Sequence, residues 1–127
     1  MTKGNAIGKT WGNDRGATAV EFALVAPAFV MLLFGVINLG VLMFAQASLH
    51  YAVEESARCA SVKTTVCTDA GSTQTYAQNH YYGPSISPTF TAASAACGNS
   101  VTASATYVLN AGLFQTSVPI SATACFP

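Results

Sequence analysis

From Phe22 to Val53 the chain contains no Asp, Glu, Lys or Arg. A helix that long exceeds the roughly 20 apolar residues needed to cross a bilayer. This run limits the fold more than any other feature, because a soluble domain would have to bury it on all sides. Composition agrees with a membrane segment: 51% of residues are hydrophobic and 8% charged, against about a quarter charged in soluble domains. A chain of 127 residues then has room for one small domain besides the span. Net charge is zero with no basic patch, so nucleic-acid binding is not expected.

One carboxylate, Glu21, stands at the mouth of the run, preceded by Lys3, Lys9, Asp14 and Arg15. Positive charge before the first apolar segment predicts that this end stays cytoplasmic and the C-terminal part lies outside. An ionisable group at the edge of hydrocarbon is a functional hypothesis, the plain alternative being an acid that rests among headgroups. Residues 1–16 are polar and aperiodic and read as a leader, with Trp11 a candidate interface residue. A conventional secretory signal peptide, cut near Ala45-Gln46-Ala47, is the competing interpretation, but the apolar region is about twice the usual 7–15 residues.

The leader ends in Gly16, followed by Ala17-Thr18-Ala19-Val20, then Glu21, then the apolar helix. This order resembles the cleavage signal of type IV prepilins. More narrowly, RGATAVEFALVAPAFVMLLFGVINLG resembles the opening of the TadE-like family of the tight-adherence (Tad) pilus system, a similarity extending over about residues 15 to 63. The resemblance implies cleavage between Gly16 and Ala17 by an inner-membrane prepilin peptidase. It also implies an assembly role for Glu21, facing the freed amine of Ala17 in the same or a neighbouring subunit. The partners it implies are other pilins or pseudopilins, the Tad assembly platform of the bacterial inner membrane, and lipid. The head would be periplasmic, or extracellular if the subunit enters the pilus. The Tad system's major pilins are much shorter and lack a cysteine-bearing head, so the resemblance favours a minor pilin or pseudopilin. The alternative is an uncleaved, single-pass anchor for a binding module.

Within the span, Pro27 predicts a modest kink, and Asn38 is the one strongly polar side chain, able to bond a neighbouring helix. Ala19 and Ala23 make a small-xxx-small pair, while Gly35 and Gly40 do not form GxxxG. Beyond the bilayer, Leu49, Ala52, Val53, Ser56, Ala57 and Ala60 follow helical spacing along one face, with Glu54 and Arg58 in favourable i, i+4 order. The pattern predicts one helix from about Ala17 to Val62, with residues 17–49 in the membrane and 50–63 outside. The β-branched run at Val62–Val66 should end it.

Residues 64–127 form the expected head, making the chain α+β. The stretch 68–100 reads as loop, with a short helix near Gln74–Asn79 and aromatic anchors Tyr76, Tyr81, Tyr82 and Phe90. Val101, Ala103, Ala105, Tyr107 and Leu109 alternate as a strand, as do Val118, Ile120, Ala122 and Ala124. Pro119 falls on the polar phase, as on an edge strand. The turn-like Asn110-Ala111-Gly112 makes these a hairpin in which paired residue numbers sum to about 222–224.

All four cysteines, Cys59, Cys67, Cys97 and Cys125, follow the span, and their spacings do not match zinc sites. An oxidising compartment and two disulfides are expected. The hairpin brings Cys97 close to Cys125, leaving Cys59 with Cys67. That second bridge requires the helix to break, because eight helical residues separate two Cα atoms by about 12 Å and a disulfide tolerates about 7 Å. His50 and His80 complete no metal-ligand spacing. No nucleophile elbow, phosphate loop or paired carboxylate is present: Glu54 and Glu55 are adjacent on a helix and diverge. No enzymatic activity or cofactor is expected.

Overall fold

The computed structural model describes residues 14–127. The leader residues Lys3, Lys9 and Trp11 lie outside the described residues. Five elements follow in order: α1 (Asp14–Val62), α2 (Ala70–Asn79), β1 (Thr89–Ala95), β2 (Gly98–Asn110) and β3 (Gln115–Phe126). The protein is α+β, with one long apolar helix and a small domain built on a three-stranded antiparallel sheet of order β1-β2-β3. By its contacts the chain divides at Leu33/Phe34 into two units. The first holds the N-terminal part of α1; the second holds the rest of α1 and the head.

In the second unit, α1 supplies the helical side of the core. Ala45, Leu49, Ala52, Val53, Ser56 and Ala57 are buried along one stripe, and Ala60 is half-buried. Small side chains let the sheet approach closely, and Leu49 and Val53 fill the space between. Phe90, Val101, Ala103, Ile120 and Ala122 face them from the sheet, and Ala77 from α2. The Ser56 hydroxyl is satisfied locally by the Ala52 carbonyl, the usual solution for a buried helical serine. The core begins at Ala45, with Ser48 also buried, so the last turns of residues 17–49 already carry the head.

Sheet alternation follows the sequence pattern. Val101, Ala103 and Tyr107 on β2 and Ile120 and Ala122 on β3 are buried, with Ala105, Leu109, Val118 and Ala124 half-buried between exposed neighbours. Pro119 is exposed, and β3 is an edge strand. Two carbonyls of β3 are taken by polar side chains of α1. Gln46 Nε2 donates to Ser121 O at 2.8 Å, and Ser61 Oγ donates to Phe126 O at 3.0 Å.

Three features differ from the sequence expectation. The hairpin register sums to 225 (Asn99 with Phe126, Asn110 with Gln115), beyond the expected 222–224. The loop holds four residues, Ala111 to Phe114, closed by Ala111 N to Phe114 O at 2.8 Å. Leu113 and Phe114 look like strand residues but complete this turn. Secondly, α2 starts at Ala70, four residues before Gln74, because Asp69 and Ser72 cap it reciprocally, with serine where the usual capping box has Glu or Gln. Thirdly, the stretch 68–100 contains a strand, β1. Its sequence, TFTAASA, has strand-forming side chains only in its first half, and pairing with β2 across a two-residue turn recruits the rest. Gly98 makes that turn possible. Its φ is +122°, and a Cβ there would collide with the Phe126 carbonyl oxygen and lie 2.6 Å from Pro127 Cα.

The two disulfides join Cys59 to Cys67 (Cα–Cα 5.8 Å) and Cys97 to Cys125 (6.2 Å). The first lies where α1 ends: Cys67 N donates to Lys63 O after the last helical residue, Val62. The second ties the β1–β2 turn to the end of β3.

Candidate assembly helix

The N-terminal part of α1 carries most of the residues to which the sequence assigns chemistry. Alanine, leucine and methionine favour the helix, and the β-branched residues are tolerated in a long apolar run. From Val20 to Leu39 the large apolar side chains are exposed all round, Phe22 and Leu24 at 73% and 74%. A helix apolar on every face requires lipid or other helices around it. By length and composition it can cross a membrane.

Gly16 and Ala17 are exposed in the first turn of α1, which begins at Asp14, three residues before the expected Ala17. No atom lies within 4 Å of a Cβ built on Gly16. Glycine costs about 1 kcal/mol relative to alanine in a helix. This weakens the helix locally at Gly16. Glu21 is exposed one turn after Ala17, and its side chain makes no hydrogen bond or ion pair among the described residues. The helix continues through Pro27. Gly16, Ala17, Glu21 and Pro27 therefore share one helical segment, which is apolar apart from its first turns.

Asn38 lies in the second unit and is engaged by its own chain. Its Nδ2 donates to Phe34 O at 2.8 Å and to Asn110 O at 3.2 Å. Both amide hydrogens are thus used internally, and only Oδ1 remains to accept from a neighbouring helix. Asn38 thereby anchors the tip of the β2–β3 hairpin. Sequence reasoning missed a set of similar contacts from Gln46, Ser48 and Ser61. Ser48 Oγ accepts from Tyr82 N at 2.9 Å, and Asn99 Nδ2 donates to Ser61 Oγ at 2.9 Å. Their signal was present as isolated polar residues beside the apolar stripe of α1.

Elsewhere the polar geometry is structural. Asp69 accepts from Ser72 N at 2.7 Å and its own N–H donates to Ser72 Oγ at 3.0 Å. The backbone and side-chain bonds with Ser72 hold its carboxyl below the ordinary range. Tyr81 donates to Pro84 O at 2.9 Å, and burial pushes its phenol up. His80 stacks on Tyr76 with centroids 4.0 Å apart. Among the described residues no group of three or more His, Cys, Asp or Glu could hold a metal ion.

No curated protein and no solved structure gives a significant match to the chain. A family model, described as TadE-like protein, matches residues 16–58. The matched segment starts at Gly16 and ends one residue before the first cysteine. The head, from Cys59 onward, lies outside it. Through residues 16–58, the chain matches the TadE-like family that its sequence resembles.

Proposed function

We propose that the chain is a minor pilin or pseudopilin of a Tad-type pilus, a structural and assembly subunit without enzymatic activity. The supporting observation is the coincidence of the TadE-like segment, starting at Gly16, with a helix whose large apolar side chains are uncovered from Val20 to Leu39. Such a helix rests in lipid before assembly and among the helices of other pilins or pseudopilins afterwards. A prepilin peptidase of the bacterial inner membrane removes residues 1–16 on the cytoplasmic side, and the head folds and forms its disulfides in the periplasm. The lipid-crossing stretch runs from Phe22 to about Val41, shorter than residues 17–49, because Ala45, Ser48 and Leu49 are buried in the head's core.

Cleavage would create an amine at Ala17, and that positive charge answers Glu21. A carboxylate inside a membrane helix costs up to about 3 kcal/mol, and pairing with an amine of the same or a neighbouring subunit offsets much of it. Glu21→Ala tests the role. The variant is expected to insert at least as well as the wild type and to lose residues 1–16 normally. Its crosslinking to, or co-purification with, other pilins should fall to background. Unchanged association would reduce Glu21 to a tolerated interfacial acid, and loss of insertion would point to a folding role instead.

A further inference from the structure

We propose that the tip of the β2–β3 hairpin, Leu109 to Thr116, dips into the outer leaflet of the bilayer beside α1 and acts as a second, shallow membrane contact. This rests on the reading of α1 as a membrane span. The tip is fixed to α1 by the Asn38–Asn110 hydrogen bond and forms an apolar groove with it, lined by Gly35, Leu39, Leu109, Ala111 and Phe114. Leu113 and Phe114 project outward, 80% and 78% exposed, more than any other large apolar side chain among the described residues.

Depth follows from counting along the helix. The charge of Glu21 sets the inner edge, so about 20 residues from Phe22 bring the outer edge of hydrocarbon to Val41. Gly35 and Asn38 then lie about 9 and 5 Å inside that edge at 1.5 Å per residue. The groove places Phe114 at the same level, within the depth of about 5–10 Å at which apolar faces rest in an interface.

The chemistry of the tip suits that medium. After Asp69 the chain carries no Asp, Glu, Lys or Arg at all. Backbone groups in lipid must be paired within the protein, and at the tip several are: Ala111 N bonds Phe114 O, Leu113 N bonds Ala111 O at 3.0 Å, and Asn38 takes the Asn110 carbonyl. Asn38 thus serves as an internal cap where a polar strand end meets the membrane. Lipid is the occupant because the groove continues a surface already inside the span.

Single tryptophans in the full-length chain, with Trp11→Phe as background, test this in phospholipid vesicles containing lipids brominated at shallow or deep acyl positions. Phe114→Trp is expected to be quenched by the shallow bromines more than the deep ones. It should be several-fold less accessible to acrylamide than Val66→Trp, which is exposed beyond the end of α1. Phe29→Trp reports the span itself. If it is quenched by lipid while Phe114→Trp behaves like Val66→Trp, the hairpin contact is refuted and the span stands. If Phe29→Trp is also unquenched, the span falls and the contact with it. Protection of Phe114→Trp from acrylamide without lipid quenching, rising with protein density, would assign the tip to a neighbouring subunit and overturn the proposal.

Discussion

Truncating Leu49 tests whether the head is built on α1 or only attached to it. Leu49 is fully buried between Ala45 and Val53 on the stripe of α1 that meets the sheet. Leu49→Ala removes the equivalent of three methylenes, about 2.4 kcal/mol at 0.8 kcal/mol each. The partly collapsed cavity brings the total to about 3–4 kcal/mol, inside the measured range for such changes. A native domain holds only about 5–15 kcal/mol of net stability, so this loss is a large share. For a domain of this size it corresponds to a fall in Tm of about 12–30 °C. Met43→Ala is the control: its side chain lies six residues earlier on the same helix but is 68% exposed. Thermal unfolding of the head in detergent micelles, followed by near-ultraviolet circular dichroism of its tyrosines, gives both values. A Leu49→Ala protein within about 0.5 kcal/mol of wild type, the range of ordinary surface substitutions, would refute the shared core. So would equal losses from Leu49→Ala and Met43→Ala.

Two further outcomes are expected in the head. Gly98→Ala should destabilise it by about 1–3 kcal/mol through strain at a positive φ, with the collision against Phe126 and Pro127 adding to this; Gly112→Ala, where no atom lies within 4 Å, should cost less. A reversed order in denaturant unfolding would contradict the account of the β1–β2 turn. Ionised Asp69 is favoured in the folded state by its bonds with Ser72. Its contribution is therefore present above the ordinary carboxylate pKa and lost as pH falls through the lowered folded value. Amide exchange protection of α2 should weaken over that acidic window, and Asp69→Asn, which keeps the cap without the charge, should flatten the dependence. An unchanged profile in Asp69→Asn would show that another group is responsible.

The long helix, its buried stripe from Leu49 to Ala57 and the alternation on β2 and β3 were legible because each has one dominant period and burial on one side. Proximity of Cys97 to Cys125 followed from the hairpin, and the Cys59–Cys67 bridge needed only the helix end at Val62. What escaped was set by tertiary partners. Thr89, Phe90 and Thr91 suit a strand, but the Ala/Ser half of TFTAASA does not favour one until β2 presents an edge to pair with. Leu113 and Phe114 carry strand-like side chains but close a turn whose geometry depends on Gly112 and on the Ala111–Phe114 bond. Asn38 was legible as an unusual polar residue in an apolar run. Its partner, Asn110, is 72 positions away and could not be read from spacing. In the N-terminal part of α1, Gly16, Ala17 and Glu21 stood out through their order, and the family match begins at the same glycine.

The intact mass of the protein extracted from bacterial membranes tests the central claim most directly. A processed pilin-like subunit should lack residues 1–16 and start at Ala17. The Gly16→Asp variant, with a bulky charge next to the scissile bond, should keep its full length in the membrane. An unshortened wild-type chain would contradict the account and leave a simple anchored module. A Gly16→Asp chain trimmed by the same mass would contradict the assigned site.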